Sequence, residues 1–386
     1  MTGEPRYAVC LCADARMLVP ALFVAHGVRR AAPSPGASFD VLIFIPADDV
    51  TDTHRAWAAD RRIALRDDVD TSSVQDIPIL QSRLSAATLM KLLIAEHLRG
   101  HYDKILYLDA DLVIAGDVSA LFRLDTSTHA VAAVPSGRLW IGVPEAEKSW
   151  RLAHMQALGM TAPYRYFNSG VMLISVEAWN EQQLTRRTLE FIRKHSEICR
   201  LPDEDALNGV LDGDMLELSP IWNAQPRSRI PFLIEEAYPV IVHYDGPLKP
   251  WIRFKKRKRL FQDLDAYRLY EDFVRDTPWS GWLRQQWTAH DLVTAIRHEA
   301  KQALKRLIGR GPAVSEAERE SWQAIVRRHY AQSRFADVEQ GITIREGSRL
   351  YLAPPVPASV STAGPVATQR GAAPEGKVRG SAPAGP

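Results

Sequence analysis

The chain has 386 residues, of which 46% are hydrophobic and 24% charged, with a formal net charge of +2. These values fit a globular chain of two domains, or of one large domain with appendages. The near-neutral balance gives no argument for a nucleic-acid partner, and Cys10, Cys12 and Cys199 form neither a disulfide framework nor a zinc pattern. The N-terminus lacks a charged region followed by a long apolar stretch, and no apolar run is long enough to span a bilayer. The cytoplasm is the expected location.

In chain order, residues 6–13, "RYAVCLCA", read as an opening strand that carries Cys10 and Cys12 on one buried face, with Asp14 at its end. An apolar helix from Leu18 to Val28 and a second strand, "FDVLIFI" at 39–45, follow. Helical spacing over 84–99 leads into a strand at 104–109, in which Ile105, Leu106, Tyr107 and Leu108 show no alternation between faces. Such a run fits a strand covered on both sides. Further runs at 130–134, 170–176 and 239–243 alternate with helical stretches. Strand–helix alternation predicts a mainly parallel α/β sheet with helices on both faces, with its sites beyond the C-terminal strand ends.

Four stretches carry chemistry. Asp109-Ala110-Asp111 closes a buried strand, where two carboxylates are costly to desolvate unless a ligand or metal neutralises them. "IVHYDGPLKPW" at 241–251 ends a strand on His243; Gly246 permits close backbone approach, and Lys249 offers a point charge suited to phosphate. In "YFNSGVMLISVEAW" at 166–179, Asn168-Ser169-Gly170 read as a polar turn before a buried strand. "PDEDALNGVL" at 202–211 starts a helix at Pro202, and Asp203, Glu204 and Asp205 occupy its first turn. Acids there complement the helix dipole, or line a ligand that faces the helix.

In this order and separation, "YLDADLVIAGDVSALF", "YFNSGVMLI", "DEDALNGVL" and "HYDGPLKPW" resemble glycosyltransferase family 8. This is a retaining GT-A-fold family that includes bacterial lipopolysaccharide galactosyl- and glucosyltransferases and glycogenin, and the resemblance spans residues 6–262. It implies a GT-A, Rossmann-like sheet and a donor that is a UDP-sugar. It also implies a Mn²⁺ ion held by Asp109, Asp111 and His243, a donor set that suits Mn²⁺ better than an all-oxygen Mg²⁺ site. By the same resemblance Lys249 and the Gly246 backbone hold the diphosphate, and Asp14 pairs with the base. Lys91, Asn168, Asp203 and Glu204 lie near the transferred sugar, the last two as the catalytic acids. The implied acceptor is a glycan or glycolipid of lipopolysaccharide or another surface polysaccharide.

Three positions depart from the family pattern. Glu204 stands where relatives often carry Gln, Lys91 where they carry Arg, and Met17 where an aromatic stacks on the base. Retention is open to a covalent route or to same-face attack within an ion pair. A carboxylate at Glu204 is a better nucleophile than Gln and leans toward the covalent route, although it serves equally as an electrostatic stabiliser. Two other readings compete: a catalytically degenerate relative that binds a glycan or a nucleotide sugar, and a haloacid-dehalogenase-type phosphatase, whose Asp-x-Asp-x-Val pattern "DADLV" also satisfies.

The catalytic domain is expected over 1–262 and a helical C-terminal extension over 263–351. A Pro/Ala/Gly-rich tail over 352–386 is too poor in apolar residues to fold. Basic runs at 253–259 and along a helix at 291–310 suit either a solvated face or peripheral docking on anionic lipid at the inner face of the plasma membrane. No recognised nucleic-acid module accompanies them.

Overall fold

A strand without alternation needs a layer on each face, and the sheet supplies both. The computed structural model describes residues 6–32, 39–77, 86–136, 145–225, 239–245, 249–251, 266–285 and 332–342, with isolated positions between 300 and 328. β1 (Tyr7–Cys12) is followed by α1 (Leu18–Ala31), β2 (Phe39–Phe44), α2 (Asp52–Asp60) and β3 (Ala64–Arg66). After α3 (Ala86–Met90) and α4 (Ile94–His97) come β4 (Lys104–Leu108), β5 (Leu112–Ile114), β6 (Val131–Pro135) and α5 (Glu145–Ala157). Next come β7 (Phe167–Ser175), α6 (Val176–Glu181), α7 (Leu184–Lys194) and α8 (Pro202–Leu211), followed by β8 (Leu216–Glu217) and β9 (Ile241–His243).

Among the described residues the main sheet has seven strands in the order β3-β2-β1-β4-β7-β6-β8, and β5 pairs with β9 in a separate two-stranded sheet. The pairs from β3 to β4 are parallel, as is β6 with β8, whereas β7 runs antiparallel to both β4 and β6. The mainly parallel α/β sheet expected from the alternation is therefore present. Val9, Leu11, Leu106 and Leu108 enter one apolar cluster with Leu18, Leu22 and Val24 of α1. Ala8, Cys10, Cys12, Ile105 and Tyr107 enter a second, with Leu89, Ile94, Trp179, Leu189 and Leu207. Cys10 and Cys12 are small core residues with free thiols, as their spacing predicted.

The helix expected over 84–99 is broken. Leu92 and Leu93 donate to Leu89 and Met90, three residues back, so a tight turn at 91–93 separates α3 from α4. Lys91 opens that turn, and its ammonium is held by two acids of the cleft. The Asn168–Gly170 stretch is likewise not a turn but the start of β7. Gly170 accepts from the Asp109 N–H at the end of the neighbouring strand at 2.8 Å, whereas the Ser169 and Gly170 N–H groups donate to the side chains of Glu204 and Asn168.

C-terminal elements pack on the same body. Tyr270, in the helix Ala266–Arg275, stacks on Phe23 of α1 with ring centroids 3.8 Å apart, and Trp251 and Trp282 complete that cluster. Asp337, in the short helix Ala336–Glu339, is fully buried; it accepts from Ser219 N at 2.8 Å, Ser219 Oγ at 2.6 Å and Trp222 Nε1 at 2.7 Å. The tail at 352–386 and the basic run at 253–259 lie outside the described residues, as does 291–310 apart from Ala300.

Replacing Asp337 with Ala strands three buried donors at once, and unsatisfied groups of this kind cost about 1–3 kcal/mol each. Urea denaturation of Asp337→Ala is expected to show a loss of roughly 3–5 kcal/mol, far more than a surface substitution gives. A midpoint within error of wild type would show that the segment is not part of the cooperative core.

Candidate functional site

β1 and β4 are neighbours although β2 follows β1 in the chain, so the sheet's winding reverses between them. A crevice opens outside the carboxyl ends of strands at such a point. Asp14 lies just beyond β1 and Asp109 just beyond β4. Because β7 is antiparallel to β4, its first residues, Asn168 to Gly170, arrive at that same edge. α8 packs on β7 with its N-terminus, Asp203 and Glu204, at the crevice. The resulting cleft has a volume of about 660 Å³, within the range of ligand pockets.

His243 reaches the cleft by a separate route. β5 leaves the Asp-x-Asp turn at once and pairs antiparallel with β9, in register Leu112 opposite His243. That register places the imidazole beside Asp111, Nε2 lying 3.2 Å from Asp111 Oδ1 and 3.9 Å from Asp109 Oδ2. Ligand atoms of Asp109, Asp111 and His243 all lie within 4.8 Å of one another. The other atoms of these side chains are already engaged. Asp109 Oδ1 accepts from Tyr107 Oη at 2.8 Å and Lys91 Nζ at 3.0 Å, Asp111 Oδ2 accepts from Lys249 Nζ at 2.5 Å, and His243 Nδ1 bonds Asn223 Oδ1 at 2.9 Å. Two carboxylate oxygens and one imidazole nitrogen thus face one point, a donor set that fits a divalent ion such as Mn²⁺.

Electrostatics of the cleft follow from burial and pairing. Burial opposes ionisation of Asp111, yet Lys249 and His243 outweigh it and hold the carboxyl well below its ordinary range. Burial likewise disfavours the His243 imidazolium, but the Asp111 carboxylate prevails and raises its pKa. Lys91 is buried between Asp109 and Asp203, at 3.0 and 2.7 Å, and those two charges overcome desolvation and keep it protonated. Its ammonium also lies over the Tyr107 ring, 4.8 Å from the centroid.

The three acids of the α8 first turn divide their work. Asp205 turns back: Oδ2 accepts from the Arg200 and Leu201 N–H groups, and Oδ1 from Tyr166 Oη at 2.7 Å. It serves the helix start, as acids there commonly do. Asp203 and Glu204 face the cleft. Asp203 Oδ2 accepts from Ser169 Oγ at 2.8 Å; Glu204 Oε2 accepts from Asn168 Nδ2 at 2.8 Å and Ser169 N at 3.2 Å. Burial, reinforced by Asp203 and Asp205, pushes the Glu204 pKa up to about 8.

Asp14 lines the cleft and accepts from the Arg16 and Met17 N–H groups, each at 3.0 Å, so it also shapes the entry into α1. Lys249, Asn168 and Met17 line the same cavity. Gly246 lies outside the described residues. Sequence reasoning missed Tyr107, Asn223, Tyr166 and the outer rim, where Arg200 lies over Trp150 at 4.1 Å and His154 pairs with Asp205. Tyr107 was within reach: it stands two residues before Asp109, on the same face of the strand.

The comparisons with known proteins agree with this geometry. The family model of glycosyl transferase family 8 matches residues 8–255. The chain belongs to this family. General stress protein A of Bacillus subtilis is 30% identical over 199 residues, covering 48% of this chain and 65% of that protein. Lipopolysaccharide 1,2-glucosyltransferase of Escherichia coli is 28% identical, covering 55% of this chain and 60% of that protein. Lipopolysaccharide 1,3-galactosyltransferase of Salmonella typhimurium is 26% identical, covering 61% and 67%. The chain thus spans about 60–67% of the length of these curated relatives. Among solved structures, the galactosyltransferase LgtC with donor and acceptor sugar analogues matches with a TM-score of 0.57 at 20% identity, over 71% of this chain and 99% of that one. The fold is accordingly GT-A. Family membership leaves the haloacid-dehalogenase-type reading without a basis.

Gly170 is the position where the cleft tolerates no side chain. A Cβ there would lie 2.3 Å from His243 Cε1 and 2.8 Å from Asp109 Oδ2, so two of the converging groups would have to move. Gly170→Ala is expected to weaken divalent-ion binding by tenfold or more, as misplaced ligands do by about 10–100-fold, while the protein remains folded. Isothermal titration with Mn²⁺ reads this directly, and unchanged affinity would mean that these three residues do not bind the ion together.

Proposed function

We propose that the protein is a metal-dependent, retaining glycosyltransferase that moves a hexose, galactose or glucose, from a UDP-sugar to a glycan or glycolipid acceptor. The observation that carries this reading is the convergence of Asp109, Asp111 and His243 beside Lys249, in a family-8 chain, at the mouth of a cleft of about 660 Å³. The choice of hexose, and of lipopolysaccharide or another surface polysaccharide as the pathway, draws on the names of the relatives. Asp14, at the edge of the cleft, is assigned to the base. A lipid-linked acceptor accords with the basic runs at 253–259 and 291–310, which would meet anionic lipid at the inner face of the membrane. Among the described residues no helix is long and apolar enough to cross a membrane.

Breaking the bond from the anomeric carbon to the diphosphate builds positive charge on the sugar and negative charge on the leaving group. Asp109, Asp111 and His243 would hold a divalent ion, which would supply Lewis-acid neutralisation of that diphosphate. Lys249, now paired with Asp111, is placed to transfer its charge to a phosphate oxygen. Asp203, fixed by Lys91 and Ser169, offers a negative charge to the electron-deficient sugar ring. Glu204 plays another part. With its pKa at about 8 it keeps its proton at neutral pH, behaves like the Gln of relatives and is a poor nucleophile. This favours same-face attack over a covalent intermediate, with the acceptor hydroxyl losing its proton to the departing phosphate.

Two measurements test the reading. Purified protein offered a panel of nucleotide sugars with Mn²⁺ should release nucleotide slowly from one UDP-sugar, and EDTA should stop it. Asp111→Ala should lower that release about 10²–10³-fold, the equivalent of several kcal/mol of lost charge stabilisation. Donor binding without release, with or without acceptor, would favour a degenerate, sugar-nucleotide-binding relative, and absence of both release and donor binding a degenerate glycan-binding one. Glu204→Gln should keep at least about a tenth of the turnover, because it replaces a neutral acid with a neutral amide. A loss of a thousandfold or more would instead make Glu204 the nucleophile of a double displacement.

A further inference from the structure

Asn223 belongs to none of the motifs, yet it is buried between the metal-ligand cluster and the sugar-side acids. Its Oδ1 meets His243 Nδ1 at 2.9 Å, and its Nδ2 donates to Asn168 Oδ1 at 2.9 Å. Asn168 in turn accepts from the Gly170 N–H at 3.1 Å and donates through Nδ2 to Glu204 Oε2. The direction of every bond in this chain is set by one group that has no choice. A backbone N–H can only donate, so the Asn168 atom facing Gly170 is its oxygen. Asn223 must then present its NH₂ to that oxygen and its own carbonyl to His243. A carbonyl accepts only, so His243 carries a hydrogen on Nδ1, and Nε2 is the ring nitrogen left to face Asp109 and Asp111, where a divalent ion would take the place of any proton.

We propose that Asn223 is the positioning residue of the metal site: it selects the His243 tautomer that can bind a divalent ion through Nε2, and it ties that imidazole to Asn168 and Glu204. The inference rests on the divalent-ion reading given above. Imidazole ligands are held in this way by an acceptor on the far ring nitrogen, which fixes ring orientation and basicity. The backbone around Asn223 is rigid enough for the side chain to impose that geometry. Ala224 donates to Ile241 O at 2.9 Å, His243 N donates to Ala224 O at 2.9 Å, and the preceding Ser219–Trp222 turn is clamped by Asp337. Those contacts do not involve the Asn223 side chain, so its replacement leaves the fold in place.

The test compares wild type, Asn223→Ala and Asn223→Asp, titrated with Mn²⁺ alone, with thermal midpoints measured alongside. Asn223→Ala removes the acceptor from His243 Nδ1 and is expected to weaken Mn²⁺ binding about 10–100-fold. Asn223→Asp keeps an acceptor there but cannot donate to Asn168. Its Mn²⁺ affinity should return to within about threefold of wild type, while nucleotide release at saturating Mn²⁺ stays depressed. A merely structural asparagine predicts the reverse pattern, in which both variants lose affinity in proportion to their loss of thermal midpoint. The proposal is overturned if Asn223→Ala binds Mn²⁺ as wild type does, or if Asn223→Asp is no better than Ala. Should wild type itself bind no Mn²⁺ while still releasing nucleotide, the metal reading fails, and the inference with it; this is a different outcome from a defect confined to the variants.

Discussion

Four carboxylates, Asp109, Asp111, Asp203 and Glu204, meet in one cleft, and their mutual repulsion is the constraint that the surrounding structure answers. Each has a distinct answer. Lys91 neutralises Asp109 and Asp203 together from a buried position; Lys249 and His243 hold Asp111; among the described residues Glu204 makes no ion pair, and burial raises its pKa to about 8. Breaking such a buried arrangement by removing one partner is expensive, because the remaining charge is left uncompensated. The helix that would have run unbroken past Lys91 is interrupted at that residue, so local regularity yields to charge balance.

Topology turns separate pieces of chain into one site. The winding reversal between β1 and β4 opens the crevice; the antiparallel insertion of β7 brings polar residues to an edge that parallel strands would reach only through loops; and the small β5–β9 sheet delivers His243. A register shift of one residue in that last pairing would turn the imidazole to the opposite face. Asn223 and Asp337 extend the same design outward. Asp337, more than a hundred positions beyond Ser219 and Trp222, holds the turn that carries Asn223, so part of the C-terminal region supports the site without touching it.

The division of the α8 acids shows why composition alone misjudges such runs. Asp203, Glu204 and Asp205 are consecutive in sequence, yet one pairs with a lysine, one has its pKa raised by burial and one turns back to the chain before the helix. Successive residues on a helix point about a hundred degrees apart, so neighbours in sequence meet different surroundings. Trp150 and Arg200, which stack on one another, line the same cleft as Asp109, Asp111 and His243.

Much of the protein was legible in its residues. Unalternating runs such as Ile105–Leu108 required a two-sided layer, Pro202 marked a helix start, and the Asp-x-Asp and His-x-x-Gly-x-x-Lys stretches carried the family. These are local signals, because strand burial, helix capping and ligand chemistry are properties of a few adjacent residues. The tertiary structure alone decided which acid faces the cleft, that Lys91 bridges two of them, and that Asn168 begins a strand rather than a turn. It also decided that Asn223 stands behind His243. Those features depend on pairing register and on distances between residues tens to hundreds of positions apart, where desolvation and charge are settled by neighbours that the chain does not place side by side.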